Sequence, residues 1–136
     1  LLIQNRVSLD IPEDIPKVYA DEKALLFVLN QIVYNAVTYK KAGEVPQIAF
    51  SFLAAGDNKL LLHIRDNGCG ISSEDLPRVF EKGFTGKNGR ENRRSTGMGL
   101  YLCKKICDGL GIGLSVCSEE GVYTRFTICL SILTEK

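Results

Sequence analysis

The chain reads as an α+β protein: a two-layer α/β sandwich whose mixed, mostly antiparallel sheet is packed under about three helices. Three observations predict this. Apolar residues recur at helical spacing in two stretches, within 25–37 and within 100–110. Alternating runs pair off across short turns as hairpins, around Gly56-Asp57-Asn58 and around Glu120-Gly121. Strands and helices do not alternate one for one, which with the hairpins argues for a mostly antiparallel or mixed sheet with helices on one face. At 136 residues the length fits one domain, residues 1–136, with a core of its own.

Each element follows from local chemistry. Residues 6–11 alternate, with Val7, Leu9 and Ile11 on one side, and predict a strand. Pro12 and Pro16 end it and frame a loop, after which Val18-Tyr19-Ala20 reads as a short edge strand. Asp21 is a good helix N-cap, and Glu22 puts a negative charge in the first turn. Leu25, Leu26, Leu29, Ile32, Val33, Ala36 and Val37 carry the helix forward, and Gly43 and Pro46 lie past its end. Residues 47–53 form a strand with Ile48, Phe50 and Phe52 on one face, and residues 59–66 form its hairpin partner. After Ile71, Ser72 or Ser73 caps a short helix through Leu76 to Val79. Residues 80–94 lack periodicity. Gly83, Gly86 and Gly89 among Lys and Arg offer little to bury there, so this loop is expected to be unordered until a ligand arrives. Residues 98–110 form a second amphipathic helix on Leu100, Leu102, Cys103, Ile106 and Leu110, ended by Gly109, Gly111 and Gly113. Strands at 112–117 and 122–132 close the chain.

Composition excludes several classes. A formal charge of +1 gives no basic face for nucleic acid. No run approaches the roughly 18 apolar residues of a membrane helix. No secretory leader is expected, because polar residues follow Leu1-Leu2-Ile3 at once, and the missing initiator Met predicts a piece of a longer protein. The five cysteines are odd in number. Four of them sit in apolar-patterned segments, which predicts reduced, buried thiols in a cytosolic setting. Cys103 and Cys107 share a helix face, but with His63 as the one histidine they fall short of a zinc site.

Three places carry chemistry. Asn35 lies in an apolar helix, where its amide oxygen either coordinates a hard cation such as Mg²⁺ or bonds to neighbouring backbone. Asp66 ends a strand and opens Asp66-Asn67-Gly68-Cys69-Gly70-Ile71. An ionised carboxylate only accepts, so it suits an exocyclic amine such as that of adenine, or it caps the loop. Gly68 and Gly70 allow close backbone approach in either reading, and in the first they leave room for a purine. Thr96-Gly97-Met98-Gly99-Leu100 opens the second helix, whose N-terminal N–H groups attract phosphate. Lys82, Lys87, Arg90, Arg93 and Arg94 precede it, as phosphate ligands or as solvated charges.

The order of these motifs resembles the ATP-binding catalytic domain of sensor histidine kinases, within the wider group of gyrase-type, chaperone-type and mismatch-repair ATPases. Gln31-Ile32-Val33-Tyr34-Asn35-Ala36 resembles that family's N-box, and Asp66-Asn67-Gly68-Cys69-Gly70 its first glycine box. Phe80-Glu81-Lys82-Gly83-Phe84-Thr85-Gly86 resembles its phenylalanine box, and Thr96-Gly97-Met98-Gly99-Leu100-Tyr101 its second glycine box. The resemblance runs from about residue 7 to 132. It implies the family's Bergerat-type ATP-binding fold, with residues 80–96 as an ATP lid.

By resemblance, Asn35 holds Mg²⁺, with Gln31 beside it as a second candidate ligand and catalytic position. Asp66 takes the adenine amine, and Gly97 and Gly99 border the phosphates. Tyr39, Gly68, Gly70, Ile71, Phe84, Lys87, Arg90, Thr96, Met98, Leu100 and Thr124 complete the expected nucleotide site. The reaction implied is transfer of the γ-phosphoryl group of ATP to a histidine on a separate dimerisation domain, and from there to a response regulator. The whole protein is expected to be a homodimer anchored in the bacterial membrane, with this domain in the cytoplasm and no nucleic acid as partner. An anti-sigma-factor-type Ser/Thr kinase and a degenerate ATP-sensing module use the same pocket. Two positions depart from the family: Gln31 stands where Asn is common, and Thr38 where Lys is common. A neutral amide at Gln31 cannot take a proton from water, which favours transfer over hydrolysis. His63, in a strand run, lacks the acidic and Pro neighbours of a phospho-acceptor.

Overall fold

The computed structural model describes residues 6–86 and 98–132. In chain order the elements are β1 (Ser8–Asp10), β2 (Val18–Tyr19), α1 (Glu22–Thr38), β3 (Gln47–Ala54), β4 (Lys59–Asp66), a short 3-10 helix (Leu76–Arg78), α2 (Gly99–Leu110), β5 (Gly113–Glu119) and β6 (Tyr123–Ile132). The strands form one sheet in the order β1-β3-β4-β6-β2, with β5 also on β6. β1 runs parallel to β3, and every other pairing is antiparallel. The sheet is therefore mixed and mostly antiparallel, as the hairpins predict. Among the described residues it carries two α-helices and the single 3-10 turn, against about three helices expected.

Helix α1 starts where the sequence places it. The Asp21 carboxylate accepts the Ala24 N–H at 2.9 Å and satisfies one of the donors left open at the first turn. Its apolar stripe, Val28, Ile32 and Ala36, is buried against the sheet with Cys103 and Cys107 of α2. Facing them are Ile48, Leu62, Ile64, Leu114, Phe126, Ile128 and Leu130, which the strand period places on one side. Phe80 closes the core at one flank, edge-on to Phe126 with ring centroids 6.4 Å apart. Helix α2 ends at Gly111, whose φ of 71° is the left-handed conformation that glycine adopts without a steric penalty.

The opposite face of the sheet is open and polar. His63 bonds to Thr127 at 2.8 Å, and the Arg65 guanidinium lies 4.2 Å over the Tyr123 ring. Burial and then the neighbouring Arg125 hold the His63 ring below its usual pKa.

Four expectations change. The strand over 6–11 shrinks to three residues, because β1 pairs only with Gln47 to Ala49, and both Leu9 and Ile11 are exposed. The edge strand over 18–20 keeps Val18–Tyr19. Gly109 lies inside α2 and Gly113 begins β5, so Gly111 alone ends the helix. All five cysteines are free, but only Cys103 and Cys107 are buried; Cys117 and Cys129 fall on the open face and are partly exposed. Burial and the adjacent Cys107 push the Cys103 thiol up to about 12. Among the described residues no helix is long and apolar enough to cross a membrane.

Candidate functional site

Antiparallel register places four residues in one row on the helix-covered face: Ile48, Asp66, Thr124 and Ser118. Asp66 is only 9% exposed. Its Oδ1 accepts the Gly68 N–H at 2.8 Å. Burial raises its pKa above the usual value, against the pull of the Gly68 and Thr124 backbone donors.

The loop after Asp66 is tied down on three sides. The Cys69 N–H donates to the Tyr39 carbonyl at 2.9 Å, at the C-terminal cap of α1. The Gly121 N–H donates to the Cys69 carbonyl at 2.6 Å, in the β5–β6 turn. The Ile71 N–H donates to Ser118 Oγ at 2.7 Å. Asn67 braces the fold. Its amide accepts from the Gln47 N–H at 2.8 Å and donates to the Val45 carbonyl at 3.3 Å, which pins the entry of β3.

These ties change the reason for the glycines. A Cβ at Gly68 would stand 2.8 Å from the Tyr39 carbonyl oxygen, and one at Gly70 would collide with the Glu119 carbonyl oxygen. Both glycines are required by the protein's own backbone, before any purine is considered. Gly99 is similar: a Cβ there would run into Oε1 of Gln31. The start of α2 therefore lies beside Gln31 of α1, though the atom met is the end of a flexible side chain that can shift, unlike the backbone carbonyls that face Gly68 and Gly70.

The sequence-predicted residues fall into two connected groups. Asp66, Gly68, Gly70, Ile71 and Thr124 gather at one end of the sheet, joined to Tyr39 through its carbonyl. Gln31 and Gly99 meet at the α1–α2 contact. Asn35 links the groups, one helical turn from both Gln31 and Tyr39 on one stripe of α1. It is half-buried. Gln31 to Tyr39 spans roughly 12 Å along the helix axis. Met98 precedes α2 as its N-cap residue, and Leu100 packs on the core. Phe84 stands apart, with the Arg78 guanidinium 4.5 Å over its ring. Lys87, Arg90, Thr96 and Gly97, and most of the expected lid, lie outside the described residues. A groove of about 230 Å³ is lined by Asp66 and Asn67 together with Ser8, Asp10, Gln47, Arg65 and Tyr123, but not by Asn35 or Thr124. Sequence reasoning missed Ser118. A serine six residues before Thr124 carries no signal until the strands are paired, when the two fall opposite each other.

A mixed sheet under two helices is also the fold of solved histidine kinases. The mycobacterial sensor histidine kinase MprB superposes with a TM-score of 0.77 at 19% identity, over 95% of this chain and 86% of that one. A family model described as histidine kinase-, DNA gyrase B-, and HSP90-like ATPase matches residues 20–134, and the chain belongs to that family. It is 40% identical over 126 residues to the sensor protein BceS of Halalkalibacterium halodurans, and 38% identical over 130 residues to BceS of Bacillus subtilis. These matches cover 93% and 96% of this chain but only 36% and 38% of those proteins.

Proposed function

We propose that residues 1–136 are the ATP-binding catalytic domain of a sensor histidine kinase, which binds Mg-ATP and passes its γ-phosphoryl group to a histidine on a separate dimerisation domain. The observation that carries this reading is one juxtaposition. The Gln31-Asn35-Tyr39 stripe of α1 runs from the start of α2 to the Asp66–Thr124 row. The two ends differ in chemistry. At one, buried Asp66 offers acceptor oxygens to the exocyclic amine of adenine. At the other, the glycine-started N-terminus of α2 suits phosphate.

The residues present fit magnesium. Among the described residues no cluster of three His, Cys, Asp or Glu side chains is placed to hold a metal. Mg²⁺ needs no such cage, since it takes its oxygens largely from phosphates and water. Asn35 is the side chain that would hold it, with Gln31 second. When bound, the ion neutralises charge on the transferring phosphoryl group. Gln31 is neutral and cannot act as a general base, so water attack is slow and a supplied nucleophile is favoured. Tyr39, Gly68, Gly70, Ile71, Met98, Gly99, Leu100 and Thr124 line or support the site in this reading, and Phe84, Lys87, Arg90, Thr96 and Gly97 belong to its lid side.

The acceptor is not in this chain. His63 is engaged with Thr127 on the open face of the sheet, away from the row of Asp66. The phosphoryl group then passes to a response regulator, and the whole protein is a membrane-anchored homodimer with this domain in the cytoplasm. The similarity to sensor proteins such as BceS supports this over a Ser/Thr kinase. Incubation with γ-labelled ATP and Mg²⁺ tests it. The chain alone stays unlabelled, and the full-length native protein acquires an acid-labile, base-stable label. Stable label on His63 in the isolated chain, or none in the full-length protein, contradicts the reading.

A further inference from the structure

The Ser118 hydroxyl stands among three polar groups. It receives the Ile71 N–H at 2.7 Å, lies 2.6 Å from the Tyr123 carbonyl oxygen, and lies 3.1 Å from Thr124 Oγ1. A serine hydroxyl has one proton to give and two lone pairs to receive with. A carbonyl oxygen cannot donate, so the Ser118 proton goes to Tyr123. The Ile71 N–H uses one lone pair. The contact with Thr124 must then run from the threonine: its O–H donates into the second lone pair of Ser118. Thr124 keeps no proton for anything else, and its remaining capacity is acceptor only. Beside it in register is Asp66, whose carboxylate receives the backbone donors of Gly68 and Thr124.

We infer that Ser118 is a positioning residue that fixes the polarity of Thr124, so that the Asp66–Thr124 pair presents acceptors alone to the 6-position of the base and selects an amine there over a carbonyl. The inference rests on the proposal that a nucleotide base lodges against Asp66. It adds a residue that would not touch the base yet decides which base is accepted. Removing the Ser118 hydroxyl releases the Thr124 proton, which can then be donated to a carbonyl edge. A buried polar group left unpaired by the wrong ligand is what makes such discrimination steep.

The test compares ATP with inosine triphosphate, in which the 6-amino group is replaced by a 6-oxo group and the triphosphate is unchanged. Binding of each Mg complex is measured by calorimetry on the full chain, for wild type, Ser118→Ala and Thr124→Val. Wild type prefers ATP. In Ser118→Ala the preference falls by about tenfold, the inosine nucleotide gaining relative to ATP. In Thr124→Val, which has no proton to release, the inosine nucleotide gains nothing. If Ser118 only braces the loop, both nucleotides weaken by the same factor and the ratio is unchanged, which overturns the inference. Wild type that binds neither nucleotide removes the lodged base and this inference with it. Wild type that binds ATP beside an unchanged ratio removes the role of Ser118 alone. A readout without nucleotide guards against a variant that folds poorly. In the wild-type NMR spectrum the Thr124 hydroxyl proton exchanges slowly with water and shows cross-relaxation to the Ser118 β-protons. A rapidly exchanging Thr124 hydroxyl contradicts the assignment.

Discussion

Two rows of side chains cross the helix-covered face on the same strands, four residues apart. Phe52, Leu62, Ile128 and Leu114 form one, and Ile48, Asp66, Thr124 and Ser118 the other. Burial scarcely separates them, since Leu62 is 5% exposed and Thr124 is 6%. Polarity does. The first row lies under both helices and is apolar throughout. The second lies at the edge of that cover, where a tethered loop replaces helix, and holds a carboxylate and two hydroxyls. Among the described residues no cation pairs with Asp66, and burying a carboxylate in that way costs stability. Under the proposed function, that cost is offset when Asp66 accepts from the base of the nucleotide.

This contrast can be broken at either row. The largest effect is expected from Ile128→Ala, in the centre of the apolar row. Urea denaturation should show a loss of about 4 kcal/mol from the cavity created. A loss below about 1 kcal/mol would mean that the row is not the packed centre. Gly70→Ala comes next, at about 3 kcal/mol. It drives a methyl into the Glu119 carbonyl and forces alanine to a φ of 71°. A near-neutral result would show that the loop tolerates movement and that its ties are weak.

Asp66→Asn should change stability much less, and in a pH-dependent way. The folded carboxyl has the higher pKa, so it holds its proton more firmly than the unfolded one. Its contribution to stability is therefore present below the usual value of 3.8 and is lost as pH rises through the raised native value. The variant lacks this titration, so it gains on wild type as pH rises from below 3.8 through the raised native value. Urea midpoints at several pH values check this, and a constant offset contradicts it. Smallest of all is His63→Gln on the open face, about 0.5 kcal/mol from one side-chain bond, with nucleotide binding unchanged. Loss of binding there would tie the open face to the site.

Much of the fold was legible because its signals are local. Asp21 caps α1, Gly56-Asp57-Asn58 turns a hairpin, and two apolar stripes mark the long helices. Strand β1 was over-read because alternation of Val7, Leu9 and Ile11 does not say how many partner residues exist, and β3 offers it three. Of the site, Asn35, Asp66 and the glycine turns stood out by residue type. What they do was less legible. Gly68 and Gly70 look like room for a ligand in sequence, but each is fixed by a backbone carbonyl that comes close only after folding. Asn67 and Ser118 act through partners on other elements, so no local pattern marks them.

The central claim is that the polar row exists to hold a nucleotide base while the apolar row holds the fold. Calorimetry with Mg-ATP on wild type and Asp66→Asn tests it most directly, at a pH where both are folded by circular dichroism. The account predicts heat of binding for wild type and a loss of at least about a hundredfold in affinity for the variant, whose amide places a donor where the amine needs an acceptor. Equal affinity in the two proteins, or no heat from either, would contradict it.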